Sequence, residues 1–259
     1  MQFAARTPKP EMAEKKRESS KIIGDRSRYE FVRADHGGWA TAGAILPAEI
    51  CGTEGAMEKL DLKKKWKQLY GAKAGGIEAV DVPPLTYLMV DGEGDPNNST
   101  AFQQAVEALY SLSYTLKFSL RKSPRGLDYG VMPLEGLWWA DDPRVFYDAD
   151  KSKWKWTAMI LQPDFIARPQ VDAAFEEVRK KKNPAALNLV RLEKLEEGLS
   201  AQILHLGPFS AEGPVIQRMH DFIQASGKRL RGRHHEIYLS DPRRTAPEKL
   251  KTILRQPMQ

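Results

Sequence analysis

A single cysteine, Cys51, leaves this 259-residue chain unable to close an internal disulfide, and no Cys/His spacing resembles a structural zinc site. Nothing therefore calls for an oxidising compartment, and a cytoplasmic location is expected. No apolar run approaches the ~18 to 20 uninterrupted residues of a membrane helix, so no membrane-spanning segment and no membrane partner are expected. The first residues lack the basic start and apolar core of a secretory signal. A Gly-rich phosphate loop, a nucleophile elbow and a His-Glu-x-x-His helix are all missing, and Gly92-x-Gly94 alone reads as a turn. Nucleotide-dependent chemistry is left without residues to carry it, and neither a cofactor nor a metal is expected. A strong excess of one charge is absent too. Forty Lys+Arg against 34 Asp+Glu give +6 and a pI near 9.2, but the charges are interspersed apart from Lys63-Lys64-Lys65 and Arg179-Lys180-Lys181-Lys182. That distribution reads as a solvated mixed surface rather than a nucleic-acid footprint.

What is present is an ordinary globular composition, 41% hydrophobic and 29% charged. Residues 1–56 stand apart: residues 11–20 are polar and charge-mixed, and the stretch runs through Gly37-Gly38, Gly43 and Gly52 without a sustained period of 3.6 or 2.0. Little stable structure is expected there. Met57 opens a better-patterned sequence, a short amphipathic lead-in, and a start assigned too far upstream would account for the tail; peptides from residues 1–56 in the native protein would refute this. A single domain made of two modules is expected over residues 57–259.

Two similar units follow. In the first (about 77–165), Ile77-Glu-Ala-Val-Asp-Val and Leu85-Thr-Tyr-Leu-Met-Val-Asp are extended pieces joined at Pro83-Pro84, predicting a hairpin or a bent strand. Gly92-Glu-Gly-Asp-Pro-Asn-Asn then turns the chain into a helix capped by Ser99 or Thr100, with apolar positions Phe102, Val106, Leu109, Leu112 and Leu116, ending near Ser123-Pro124. Tyr129 to Trp139 and Trp154 to Leu161 are rich in strand formers. In the second unit (about 186–259), after a connecting helix near 170–182, Leu189 to Leu195 and Leu199 to Leu206 flank Glu196-Glu-Gly as a second expected hairpin. A glycine turn at Gly207-Pro208 precedes a helix with Val215, Ile216, Met219, Phe222 and Ile223 at helical spacing, and His234-His-Glu-Ile-Tyr-Leu-Ser returns as a strand. The expectation is an α+β fold of tandem duplicated strand-helix-strand-strand (SHS2-like) modules, with a ligand cleft between them.

Aromatic density beside carboxylates marks the candidate site. Glu236 and Tyr238 share one face of a strand by the period of two, while His234 and His235 point oppositely. Trp138 and Trp139 also point oppositely, so one is expected in the core and the other in the cleft; sequence does not say which. Tryptophans on strands are usually core residues, whereas a carboxylate in an apolar strand is costly to bury unless paired or used. Trp156, Tyr129, Tyr147 and Phe209 are further wall candidates, and Glu135 either lines the cleft or closes a turn. His205, just before the Gly207-Pro208 turn, is expected to make a structural hydrogen bond.

Four segments, Leu134-Glu-Gly-Leu-Trp-Trp, Trp154-Lys-Trp-Thr-Ala-Met-Ile-Leu-Gln-Pro, Gln202-Ile-Leu-His-Leu-Gly-Pro-Phe and His234-His-Glu-Ile-Tyr-Leu-Ser-Asp-Pro-Arg-Arg, resemble the GyrI-like small-molecule-binding family in order and spacing. The resemblance spans roughly Met57 to Met258. It is narrower still to the stand-alone branch that includes cyclopropanoid cyclopropyl hydrolases, in which an aromatic cage holds planar DNA-alkylating compounds. The resemblance implies the tandem-module fold, a planar aromatic or cationic small molecule as ligand, and a floor glutamate, which by motif position is Glu236 with Tyr238 beside it. On this footing Glu236 and Tyr238 carry catalysis, and Trp138, Trp139, Trp156, Glu135, Tyr129 and Phe209 bind substrate, in a role of detoxification and drug resistance. Regulators of the family carry a helix-turn-helix ahead of this domain, and residues 1–56 show no such helix pair. The non-catalytic alternative is sequestration of cationic or aromatic drugs. Oligomeric state is not legible.

Overall fold

The computed structural model describes residues 59–124, 126–141 and 151–259. The expectations placed on residues 1–56 and on Tyr147 lie outside the described residues. No helix among the described residues is long and apolar enough to cross a membrane.

The chain enters through β1 (Lys59–Leu60), α1 (Leu62–Lys65) and α2 (Lys67–Tyr70), then runs β2 (Glu78–Val82) and β3 (Leu85–Glu93) into the long helix α3 (Thr100–Lys122). Ser99 caps α3 by accepting a hydrogen bond from the Phe102 amide at 3.2 Å, satisfying one of the free N–H groups of its first turn. Next come β4 (Asp128–Tyr129), β5 (Leu134–Trp139), β6 (Lys155–Leu161) and the connecting helix α4 (Arg168–Lys181). The second half is β7 (Arg191–Leu195), β8 (Gly198–Leu206), α5 (Gly213–Ala225), β9 (His234–Tyr238) and β10 (Lys251–Pro257).

Eight strands form one sheet in the order β2-β8-β10-β9-β5-β6-β3-β7, and every pairing in it is antiparallel. The duplication is visible in that order. One module, β3-α3-β5-β6, contributes β5-β6-β3; the other, β8-α5-β9-β10, contributes β9-β10-β8; and they join at β5–β9, where Gly136 sits opposite Glu236 and Trp138 opposite His234. This is the expected α+β architecture of duplicated modules.

Neither expected hairpin forms. β2 pairs with β8 and β3 pairs with β7, so each arm strand crosses to the other module's first strand. Pro83 and Pro84 supply no N–H for a tight turn, and Glu197, in the second connection, is drawn into the interior rather than exposed at a turn. Only two residues separate β2 from β3 and β7 from β8, a reach of at most about 11 Å, so the opposite ends of the sheet must approach one another. The sheet is therefore strongly curled.

Inside the curl lies a buried polar network. His235 Nε2 meets Glu135 Oε2 at 3.0 Å and its Nδ1 meets Glu197 Oε1 at 3.0 Å. Arg255 Nη1 donates to Glu197 Oε2 at 3.2 Å, and its other nitrogens reach Gln202 Oε1 and the Leu69 carbonyl. Tyr70 Oη donates to Glu135 Oε1 at 2.6 Å, so α2 plugs the curl with hydrogen bonds as well as with the fully buried Leu69. Burial disfavours the imidazolium, but the Glu197 carboxylate and the hydrogen bonds that the ring donates to both glutamates override it and hold His235 up at about 9. Burial likewise opposes charge on Glu197, yet His235 and Arg255 hold its carboxyl down at about 2.

The other face carries the helices. α3 sets Ala105, Ala108, Leu109, Leu112 and Leu116 against the β3 and β6 side, and α5 sets Met219 and Ile223 against Ala201, Ile203 and Leu254 of β8 and β10. Burying each large side chain stabilises by about 1.5 to 3 kcal/mol.

The raised pKa of His235 sets a sign. Its folded value lies above the ~6.5 of an unfolded histidine, so its contribution is complete below about pH 6.5 and is lost as pH rises through about 9. Urea unfolding should therefore show stability falling across that window. H235Q, which removes the positive charge between two buried carboxyl groups, is expected to cost about 3 to 5 kcal/mol and to abolish the fall. A variant as stable as the wild type, or an unchanged pH profile, would contradict this account of the network.

Candidate functional site

Because strand residues alternate, β9 presents His235 and Ile237 to the interior network and His234, Glu236 and Tyr238 to the opposite face. There, between α3 and α5 and over the β5–β9 junction, opens a cavity of about 1990 Å³ whose walls include Phe102, Trp138, Trp154, Phe209 and Tyr238. It exceeds the ~300 to 1,000 Å³ of a typical small-molecule site. Part of the excess runs along α3, where Tyr110, Tyr114 and Phe118 stack at 6.2 and 6.1 Å along one stripe.

Three side chains are wired together on the floor. The Trp138 indole N–H donates to Tyr238 Oη at 3.1 Å, and the Tyr238 hydroxyl donates to Glu236 Oε2 at 2.8 Å. The tyrosine's one hydrogen is thereby committed to the carboxylate. The ring of Trp138 lies across Gly136, where an added Cβ would come within 2.8 Å of the indole nitrogen. A residue without a side chain is what lets the indole reach Tyr238. Phe209 meets the Tyr238 ring edge-on at 5.6 Å, and Trp154 and Phe102 flank Trp138 at 5.9 Å each.

Electrostatically the floor is acidic and poorly solvated. Burial pushes the Glu236 carboxyl up to about 7, tempered by the Tyr238 hydrogen bond and by Lys151. Glu212, directly ahead of α5, also lines the cavity; burial and then the Glu236 charge push it up to about 9. Glu212 Oε1 has no hydrogen-bond partner among the described residues. His234 Nε2 stands 3.8 Å from Glu236 Oε1, but burial drives the imidazole down to about 3, so this contact is no ion pair. Lys151 Nζ lies 4.8 Å over the Trp154 ring, and its positive charge favours ionisation of both carboxyl groups. Among the described residues no group of three or more His, Cys, Asp or Glu is placed to hold a metal ion.

The structure brings Glu236, Tyr238, Trp138, Trp139 and Phe209 to this cavity. The expected choice between Trp138 and Trp139 does not arise, because Trp139 closes β5 and reaches the cavity edge, with the Arg233 guanidinium 3.6 Å over its ring. Three candidates lie elsewhere. Glu135 neither lines the cavity nor closes a turn: it occupies the alternate face of β5 and belongs to the His235 network. Trp156 is directed correctly but lies flat over Gly92 beneath Phe102, which covers it at 5.0 Å, edge to face. Tyr129 packs under α3 against Phe165 at 5.9 Å. His205 Nε2 lies 3.2 Å from the Pro208 carbonyl, the structural bond expected of it.

Sequence reasoning missed Glu212, Trp154 as a wall, and His220. Glu212 stands in Pro208-Phe-Ser-Ala-Glu-Gly-Pro, which reads as turn chemistry. Its one available signal was a carboxylate set between a glycine turn and an apolar helix, where a solvated side chain is the ordinary outcome.

Residues 77–257 match the GyrI-like small molecule binding domain. A crystal structure of a hydrolase from Listeria innocua is 41% identical, with a TM-score of 0.69, covering 78% of this chain and all of its own. A second hydrolase structure from that organism gives 41% and 0.71 with the same coverage. An uncharacterized conserved protein of Listeria innocua is 42% identical at a TM-score of 0.72, again over 78% of this chain and all of the other. No match was found among curated proteins.

The glycine under Trp138 yields a test of the floor. G136A would press a methyl group to 2.8 Å from the indole nitrogen and break the Trp138–Tyr238 bond. Losing one such bond costs about 1 kcal/mol, so urea unfolding is expected to show stability lowered by about that much or more, with the fold retained by circular dichroism. Unaltered stability would show that the indole's placement is immaterial.

Proposed function

The chain belongs to the GyrI-like small-molecule-binding family, and from that premise we propose that it hydrolyses electrophilic planar compounds, with a spirocyclopropane conjugated to a cyclohexadienone as the substrate type. The observation that carries the reading is Glu236: a buried carboxyl held by Tyr238 and Trp138 at the floor of an aromatic cavity, in a chain 41% identical over its match to two hydrolases.

The chemistry asks little of the protein. The strained ring supplies much of the driving force. The aromatic walls stack the planar ligand and exclude bulk water, while the floor admits one water molecule. The water oxygen forms a bond to a ring methylene; the bond from that methylene to the spiro carbon breaks; and its electron pair passes into the dienone, whose oxygen becomes a phenolate. Glu236 takes the proton that the water loses. General-base help of this kind contributes typically ~10²- to 10⁴-fold. Tyr238 and Trp138 orient the base, and Trp139, Trp154 and Phe209 complete the walls.

The same floor favours a second reading, a module that sequesters aromatic cations without chemistry. A buried carboxylate beside several rings suits a cation, with attraction of about 0.5 to 2 kcal/mol per ring. Glu236 would then be a counter-charge, and its neutralisation would selectively weaken cationic ligands.

E236Q separates the two. Hydrolysis predicts a fall in kcat of about 10²-fold or more with ligand Kd changed less than about three-fold, and in the wild type a kcat that rises with pH through about 7 as the carboxyl loses its proton. Equal losses in turnover and binding, or loss in neither, would contradict the general-base role.

A further inference from the structure

Hydrolysis by ring opening leaves negative charge on an oxygen at the far end of the ligand from the attacked carbon, and Tyr238 has no free hydrogen to offer it. Glu212 lines the same cavity as Glu236, is only 4% exposed, and keeps one carboxyl oxygen without a hydrogen-bond partner among the described residues. We propose that Glu212 is the general acid of the reaction, donating its proton to the ligand oxygen that becomes a phenolate. The role rests on the hydrolytic reading above.

Burial and the neighbouring Glu236 charge outweigh the groups that would ionise Glu212. From β9 come Glu236, whose negative charge opposes a second one nearby, and Tyr238; His234 on the same strand is held neutral by burial. On α5, His220 also lines the cavity, has an unpartnered Nε2 among the described residues, and is driven toward the neutral form by burial, so it adds no positive charge there. Two groups favour its ionisation, the Thr252 hydroxyl on β10 and then Lys151, ahead of β6, and both act less strongly than burial and the Glu236 charge. Two carboxyl groups whose surroundings separate them, with Glu236 ionised and Glu212 protonated between about pH 7 and pH 9, are what an acid and base working in concert require.

The proton count closes. Water gives its proton to Glu236 as the carbon–oxygen bond forms, Glu212 gives its proton to the oxygen that receives the electron pair of the broken carbon–carbon bond, and the product leaves as a neutral phenol. The pair then holds the same single proton as before, on the other member, and proton exchange with water after product leaves restores the starting state. No oxidant, metal or outside base is needed.

The test compares wild type, E212Q and E236Q on a spirocyclopropyl cyclohexadienone, with kcat followed across pH and ligand affinity followed by tryptophan quenching. Glutamine can still donate a hydrogen bond but has no proton to give up. E212Q should lower kcat about ten-fold or more, leave Kd within about three-fold, keep the rise through about pH 7 that belongs to Glu236, and lose the fall of activity above about pH 9. His235 titrates in that alkaline region from the other side of the sheet, so a limb that persists in E212Q would belong to the network and overturn the assignment. So would wild-type kcat in E212Q. Difference infrared spectra add a readout independent of turnover: at about pH 8, where Glu236 has largely lost its proton and Glu212 has kept its own, the protonated buried carboxyl should disappear in E212Q, and its persistence undiminished would also overturn the proposal. Absence of turnover in the wild type would overturn the hydrolytic reading and this role together, whereas wild-type turnover with an unaffected E212Q would overturn this role alone.

Discussion

The pairing of β5 with β9 is the constraint on which the rest of the molecule depends. It joins the two modules at their pseudo-twofold axis, and in one register it fixes both faces of the sheet: Leu137 opposite His235 toward the curl, Gly136 opposite Glu236 and Trp138 opposite His234 toward the cavity. A slip of one residue would exchange the faces, sending His235 among the aromatics and Glu236 among the ionic partners of Arg255. The network inside the curl is therefore also what holds the register. His235 finds two glutamates on one side only, and on the other it would be a buried histidine with no carboxylate built to meet it.

The two faces solve the burial of charge in opposite ways. Inside the curl, acids and bases are matched, so desolvation is outweighed and His235 and Glu197 are both held in their charged forms. In the cavity, Glu212 and Glu236 lack such matching, so desolvation wins and both carboxyls are pushed toward the protonated form. Glu236, Tyr238 and Trp138 form an oriented donor chain on the cavity floor. Orientation is set by packing, since Gly136 makes room for the indole and Phe209 braces the tyrosine ring. The aromatic walls and the carboxyl floor are parts of one arrangement: rings exclude the water that would otherwise return Glu236 to its ordinary acidity.

Much of this was legible in the sequence, and the reasons are local. α3 and α5 announced themselves through apolar spacing, with Ser99 as a cap, and the duplication showed in repeated strand, glycine turn and helix. The shared face of Glu236 and Tyr238 followed from strand period alone. What failed was long-range. β2 with β3, and β7 with β8, looked like hairpins because neighbours in sequence usually pair, whereas the arms exchange partners across the closed edge of the curled sheet. β10 went unread as a strand, and with it Arg255, a guanidinium fully buried on a face that sequence gave no reason to close. Glu135 and Trp156 were misplaced for related reasons: pattern gives direction relative to a strand but not which face holds the cavity, nor which ring lies behind another. Glu212 was invisible because turn residues ordinarily face water.

The most direct test of the central claim is to incubate a large excess of a spirocyclopropyl cyclohexadienone with the protein in oxygen-18 water and to follow both ligand and protein by mass spectrometry. The account predicts many turnovers per protein molecule, each product carrying one added water with the heavy oxygen, and an unmodified protein. Ligand recovered unchanged from a saturated complex, or a protein carrying one covalently attached ligand in place of turnover, would contradict it.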